Sequence, residues 1–189
     1  MNLHALKMFF TADEHYGHKN LLRGQSIGTR PFDTLEEMEK TLIDNHNAVV
    51  TDRYSLTFHI GDMFWKHCTV DHARKIIDQL RGAHILIFGN HDEIAKQIIG
   101  KFQWVKERAQ IKLSTGQVVI LDHYAGLTWN KQIHGSWQLY GHSHGQLEVT
   151  KERLKQLGFI LHSFDAGVDC NNFRPLSEQD VINKMQSYL

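Results

Sequence analysis

Neither sign of charge prevails in this chain. Lys and Arg together number 21, as do Asp and Glu, among 189 residues. No overall field therefore draws a polyanion, and long nucleic acid bound non-specifically is not indicated. Cysteine is scarce: Cys68 and Cys170 lack the paired spacing of a zinc knuckle and read as reduced, packed or incidental thiols rather than a disulfide. No apolar run approaches the length of a membrane span. The amino terminus also lacks a long apolar stretch and a small-residue cleavage site, so a soluble, cytoplasmic protein is expected. Repeats, low-complexity tracts and linkers are missing as well. With 41% apolar and 22% charged residues, the composition is that of one domain over residues 1–189, large enough for a two- or three-layer core. What the sequence has in excess is histidine, 14 in all, and a functional reading has to account for it.

The most informative stretch is Gly89-Asn90-His91-Asp92, which follows the apolar run His84-Ile85-Leu86-Ile87-Phe88. A run of that kind ended by Gly reads as a buried strand, and in open α/β sheets ligands gather at the carboxyl ends of strands. Four other places repeat the pattern. Met8-Phe9-Phe10-Thr11-Ala12 leads into Asp13-Glu14-His15, and Ser55-Leu56-Thr57-Phe58-His59-Ile60 into Gly61-Asp62. Val118-Val119-Ile120-Leu121 leads into Asp122-His123, and Trp137-Gln138-Leu139-Tyr140 into Gly141-His142-Ser143-His144. Turn chemistry explains Gly, Asn, Asp and Ser at strand ends but not repeated His. The set is first a metal or catalytic constellation.

Between these tips the chain predicts crossover helices. Thr34-Leu35-Glu36-Glu37 has the form of a capping box, and Leu35, Met38, Leu42, Ile43 and Val49 give an amphipathic helix to about residue 50. Val70, Ala73, Ile76, Ile77 and Leu80 give another over residues 70–80, ended by Arg81-Gly82. Strand, helix, strand, helix, strand implies a parallel sheet. A short helix to Ile99 is expected next. Ser114-Thr115-Gly116 then joins strands 109–113 and 117–121 as a hairpin. Strands at about 138–140 and 159–164 follow, and a closing helix begins near Ser177, with Val181, Ile182 and Met185 inward. The expected fold class is α/β, half wound from crossovers and half from antiparallel strands.

Seven candidate ligands, Asp13, His15, Asp62, Asn90, His123, His142 and His144, exceed one four-coordinate zinc and suit two ions sharing a carboxylate. A nitrogen and oxygen set without thiolate favours two divalent metal ions such as manganese, iron, nickel or zinc. Two such cations outweigh the two carboxylates, so an anionic phosphate ester is the expected partner. Asp13-x-His15, Gly61-Asp62, Gly89-Asn90-His91-Asp92, His123 and Gly141-His142-x-His144 resemble, in order, the five motifs of the calcineurin-like metallophosphoesterases. The stretches Gly17-His18-Lys19-Asn20 and Arg30-Pro31-Phe32 look like a small bacterial and phage subgroup.

The resemblance implies a β-sandwich of two mixed sheets flanked by helices. It implies one ion held by Asp13, His15, Asp62 and His144, and a second held by Asp62, Asn90, His123 and His142. His91 becomes the catalytic histidine near the leaving group, and Asp92 the residue orienting its ring. The implied activity is hydrolysis of phosphate esters by a hydroxide bridging the metals. A phosphodiesterase acting on a small nucleotide-like or organic phosphate is favoured, with a phosphomonoesterase or phosphoprotein phosphatase, or a non-catalytic scaffold, as alternatives.

Two readings concern the substrate. Residues 16–32 carry Lys19, Arg23 and Arg30 and no acid, and their glycines with Pro31 mark a loop in which Arg30 and His18 are candidates to hold phosphate. Tyr16, Phe32, Trp65 and Trp129 fall in site loops, where stacking on a nucleobase competes with packing beneath the loops. His123 is preferred to His134 for the fourth motif because it ends a strand. Glu14 alternates away from its neighbours. His4, His46, His59, His67, His72, His84 and His162 carry no motif and read as surface or core residues.

Overall fold

In the computed structural model, which describes residues 7–159 and 161–187, the crossover half of the chain forms one sheet. Strands β1 (Met8–Thr11), β2 (Leu56–Ile60), β3 (Ala83–Ile87) and β4 (Trp104–Lys106) run parallel. Helices α1 (Leu35–Val49) and α2 (Val70–Ile77) make the crossovers β1 to β2 and β2 to β3. Each helix starts at a threonine whose hydroxyl accepts a backbone N–H, Thr34 from Glu37 and Thr69 from His72. The first is not a full capping box, because the Glu37 carboxylate accepts from the Asp33 N–H instead. Helix α2 stops at Ile77, and its last expected turn, through Leu80, is irregular.

The second sheet holds β5 (Arg108–Lys112), β6 (Val118–Asp122), β7 (Trp137–Tyr140) and β8 (Ser163–Asp165) in that order. Its first pair is the expected hairpin, antiparallel across Ser114-Thr115-Gly116, but β6, β7 and β8 run parallel. The parallel β7–β8 pair is made by a crossover through α3 (Glu148–Gln156), which had no signature in the sequence. That helix is mostly charged, with Lys151, Glu152, Arg153 and Lys155 in one run, so no apolar stripe reveals it. The strand expected at 159–164 is confined to Ser163–Asp165; Ile160 lies outside the described residues, as do His4 and the rest of residues 1–6. The segment after Asp92 is a 3₁₀ helix, Asp92–Lys101, broken at Ile98. A two-residue strand, β9 (Leu176–Ser177), pairs antiparallel with β1 ahead of α4 (Glu178–Gln186), whose capping box is Ser177 with Asp180.

Register explains the core. Phe10, Phe58 and Ile85 stand side by side on one face of the first sheet and bury against Val119, Leu121, Leu139 and Phe164 of the second. Each such side chain contributes about 1.5–3 kcal/mol. The opposite face, under α1, is partly polar: His59 and His84 lie there with His46 of α1, all buried. Glu14 Oε1 lies 2.5 Å from His59 Nδ1, and His59 Nε2 lies 3.1 Å from His84 Nδ1. His46 donates to the Arg81 carbonyl at 2.9 Å.

Burial keeps these rings neutral, lowering His46 from 6.5 to about 4 and His84 to about 3. Burial also raises Glu14 to about 7 and lowers His59 to about 3, so this pair holds one proton in the folded state between about pH 3 and 7. Unfolded, the same two groups hold one proton between their ordinary values, and they cancel there. His46 and His84 do not cancel: the unfolded chain binds more protons, so stability falls as pH drops from 6.5 toward 4. In the metal-free protein, His84→Gln is expected to flatten the dependence of the urea midpoint on pH over that window, relative to wild type. Parallel curves would show that His84 is not held neutral.

Candidate metal centre

The five predicted tips converge at the carboxyl ends of β1, β2, β3, β6 and β7. Asp13, His15 and His144 bring ligand atoms within 4.8 Å of one another, and so do Asp62, His123 and His142. Each trio can hold a metal ion. The trios are neighbours. Asp62 Oδ2 lies 3.4 Å from His123 Nε2, 3.8 Å from His15 Nε2 and 4.0 Å from His91 Nε2, so one carboxylate oxygen faces imidazoles from both groups. The seventh candidate, Asn90, places Oδ1 3.3 Å from His123 Nε2. His134 is exposed in a separate 3₁₀ turn, Gln132–His134, whereas His123 lies with Asp62 and His142.

The backbone bends to achieve this. Asp13, His15, Asp62, His142 and His144 all have φ between +46° and +67°, the left-handed region that side chains other than Gly avoid. Such conformations cost on the order of 1–3 kcal/mol each and persist where surrounding structure dictates them. Two glycines supply the room. A Cβ on Gly61 would stand 2.1 Å from His123 Nδ1, and one on Gly89 would stand 2.2 Å from Asp62 Oδ1. Gly61 is thus required by close approach and by its positive φ of +88°, and Gly89 by close approach.

Ring orientation is set from behind. His123 Nδ1 donates to the Ile60 carbonyl at 2.9 Å and His144 Nδ1 lies 2.7 Å from Asp169 Oδ2, which turns each Nε2 inward. Both Asp13 oxygens accept the His142 N–H, at 2.9 and 3.0 Å, and Asp62 Oδ1 accepts the His91 N–H at 2.8 Å.

Asp92, expected to orient the His91 ring, does something else. Its carboxylate accepts the N–H groups of Asp62 and Gly89 at 2.8 Å and of Met63 at 3.0 Å. It is buried at the head of the 3₁₀ helix and ties the Asp62 loop to the Gly89 loop, while His91 Nδ1 is a buried atom without a hydrogen-bond partner. With a longer contact from the Phe64 N–H at 3.4 Å, four backbone donors outcompete one ring for a buried carboxylate.

Arg30 is also relocated. Rather than reaching a cleft, its guanidinium is entirely buried. It donates to both Asp169 oxygens at 2.9 Å and to the carbonyls of Asp13 and Glu14 at 2.5 and 2.8 Å. All of that charge is spent inside the protein, so Arg30 is not a phosphate ligand. His18 does lie beside the centre, with its ring against His15 and stacked on Trp65 at 3.5 Å, and neither of its nitrogens has a partner.

Of the four aromatic candidates, Tyr16 and Phe32 are core, and Trp129 binds the Ser136 carbonyl within its own loop. Trp65 alone meets the centre, where its indole is engaged by His18 and His91. Tyr124 was not anticipated; half-exposed, it packs on His123 and His142 and puts its hydroxyl 3.4 Å from Asn90 Oδ1. Asp165, also unanticipated, accepts from Ser143 Oγ and the Gly145 N–H and so holds the Gly141 to Gly145 turn. It ends β8, where the strand-tip rule points to it. Asp169 offers no comparable signal.

No protein-family model matches the chain. It is similar to the uncharacterized protein MJ1445 of Methanocaldococcus jannaschii, 29% identical over 182 residues that cover 95% of this chain and 90% of that one. It is also similar in structure to AQ665 of Aquifex aeolicus, a crystal structure of a protein of unknown function. That match has a TM-score of 0.72 at 21% identity, covering 95% of this chain and all of the other. The structural likeness shows a mixed α/β fold shared with a structure already solved. In this chain two His/Asp groups could hold a metal ion.

Electrostatics supports that fit. Burial raises Asp13 to about 8, only partly opposed by His144 and His123. Burial disfavours the charged His123 ring, yet its hydrogen bond to Asp62 and the charges of Asp62 and Asp13 carry it up to about 9. In the metal-free protein, protons thus stand where a cation would. Manganese binding at pH 7 is expected to release protons, and its apparent affinity to rise between pH 7 and 9. Calorimetry in two buffers of different ionisation heat reads the release directly; equal heats in both buffers would contradict this account.

Proposed function

We propose that the chain is a dinuclear-metal phosphoesterase of the calcineurin-like kind, with the β-sandwich that class implies, acting on diesters of small nucleotide-like or other organic phosphates. The observation that carries the reading is Asp62, whose Oδ2 faces His15 of one trio and His123 of the other. A carboxylate so placed can serve two ions at once, with Asp13, His15 and His144 on one side and Asn90, His123 and His142 on the other. When bound, two divalent cations, manganese first and iron, nickel or zinc as alternatives, supply Lewis-acid polarisation of a phosphoryl group and an acidified water.

The chain's own groups supply the rest. Asp62 stays ionised: burial opposes this, but the hydrogen bond and charge of His123, then His15, bring it to about 2. His91 is held by its backbone N–H on Asp62 Oδ1 and by Trp65, with ring centroids 4.5 Å apart. Its ring is partly exposed and stands 4.0 Å from Asp62 Oδ2; burial, partly opposed by the charge of Asp62, lowers its pKa, so the neutral ring can offer an N–H to a departing oxygen. His18 lines the same wall and is the remaining substrate-side candidate. A scaffold that had abandoned catalysis would be expected to have lost ligands, and all seven are present.

With manganese, bis-p-nitrophenyl phosphate should be cleaved faster than p-nitrophenyl phosphate; a strong preference for the monoester would favour the phosphomonoesterase alternative. His91→Ala should lower turnover by roughly 10²–10⁴-fold at unchanged metal content. Asp62→Asn should lose metal as well as activity. Full turnover in His91→Ala would remove that residue from the mechanism.

A further inference from the structure

Two segments far apart in the chain meet behind the Asp13/His15/His144 group. Arg30 comes from the loop before α1, and Asp169 from the 3₁₀ turn Val168–Cys170 that follows β8. The second segment is itself fastened to β1, since the Val168 N–H donates to the Ala12 carbonyl at 3.0 Å. We propose that Arg30 and Asp169 act as a pair of positioning residues that hold this group in shape for a metal ion. The inference rests on the reading of that group as a metal site.

The argument is geometric. Asp13 and His15 have left-handed backbone, and the carbonyls of Asp13 and Glu14 beside them face the buried Arg30 guanidinium. Buried carbonyls need donors, and one guanidinium supplies both. The same guanidinium grips Asp169 through its fork, Nε to Oδ1 and Nη2 to Oδ2, each at 2.9 Å. Asp169 Oδ2 is shared with His144 Nδ1 at 2.7 Å. One ion pair, with its guanidinium fully buried and its carboxylate partly so, therefore fixes the backbone that carries Asp13 and His15 and the imidazole of His144 together. The Asp62/His123/His142 group is held differently: Asp92 ties the Asp62 loop through backbone N–H groups, His123 is held by a backbone carbonyl, and His142 is exposed. Lysine in place of Arg30 keeps the charge but cannot span the carboxylate and two carbonyls with one ammonium.

The test uses the full chain with manganese alone, counting ions per chain after equilibrium dialysis and measuring binding by calorimetry. Wild type is expected to hold two ions. Asp169→Asn and Arg30→Lys are expected to weaken one of them by about 10–100-fold and leave the other unchanged. If both variants hold two ions at wild-type affinity, the pair positions nothing and the proposal fails, while the phosphoesterase reading stands. Wild type that binds no ion overturns both. A measurement on the unmodified protein guards against variants that do not fold. In zinc-loaded, histidine-labelled protein, nitrogen NMR should show His144 protonated at Nδ1 and ligating through Nε2, and ligation through Nδ1 would overturn the proposal.

Discussion

A single carboxylate oxygen facing imidazoles from three different loops is the contact on which the site's arrangement depends. Asp62 Oδ2 cannot stand between His15, His91 and His123 unless the ends of β1, β2, β3 and β6 come to one place. In a sheet whose strands alternate their faces, that placement requires the chain to turn sharply once each strand ends. The left-handed conformations at Asp13, His15, Asp62, His142 and His144 are those turns. Their cost is offset because the side chains they present are locked from several directions, and the space they need is left by Gly61 and Gly89.

The polar residues around the centre divide by what they hold. Asp13 and Asp62 face the histidines, whereas Asp92, Asp165 and Asp169 face away and hold backbone or ring N–H groups. The same division applies to histidine. His15, His123, His142 and His144 meet around the carboxylates, while His46, His59 and His84 form a neutral buried group under α1. Glu14 connects the two. Lying between Asp13 and His15, it alternates away from the centre as expected and reaches His59. The excess of histidine thus has two explanations, one at the strand tips and one within the sheet.

Much was legible because it depends on local order. Strand periodicity, the Thr34 helix start, the Ser114-Thr115-Gly116 hairpin and ligand-type residues at strand ends are all properties of short windows, and each appears in the fold. What escaped were elements without a local pattern: three-residue β4, polar α3, two-residue β9 and the parallel direction of β7 and β8. Side-chain roles that depend on a distant partner were also unreadable. Arg30 resembles any loop arginine until Asp169, 139 residues away, is brought beside it. Asp92 next to His91 suggests that the two interact, yet its nearest donors come from the Asp62 and Gly89 loops.

By itself the sequence determined the ligand types, their order along the chain and their place at strand ends, because hydrophobic alternation and glycine punctuation act over a few residues. The tertiary structure decided which of those groups face one another and which brace the rest. A carboxylate or guanidinium takes its function from whatever neighbour the fold delivers within about 3 Å, and hydrogen bonds that short cannot be inferred from residues separated by most of the chain.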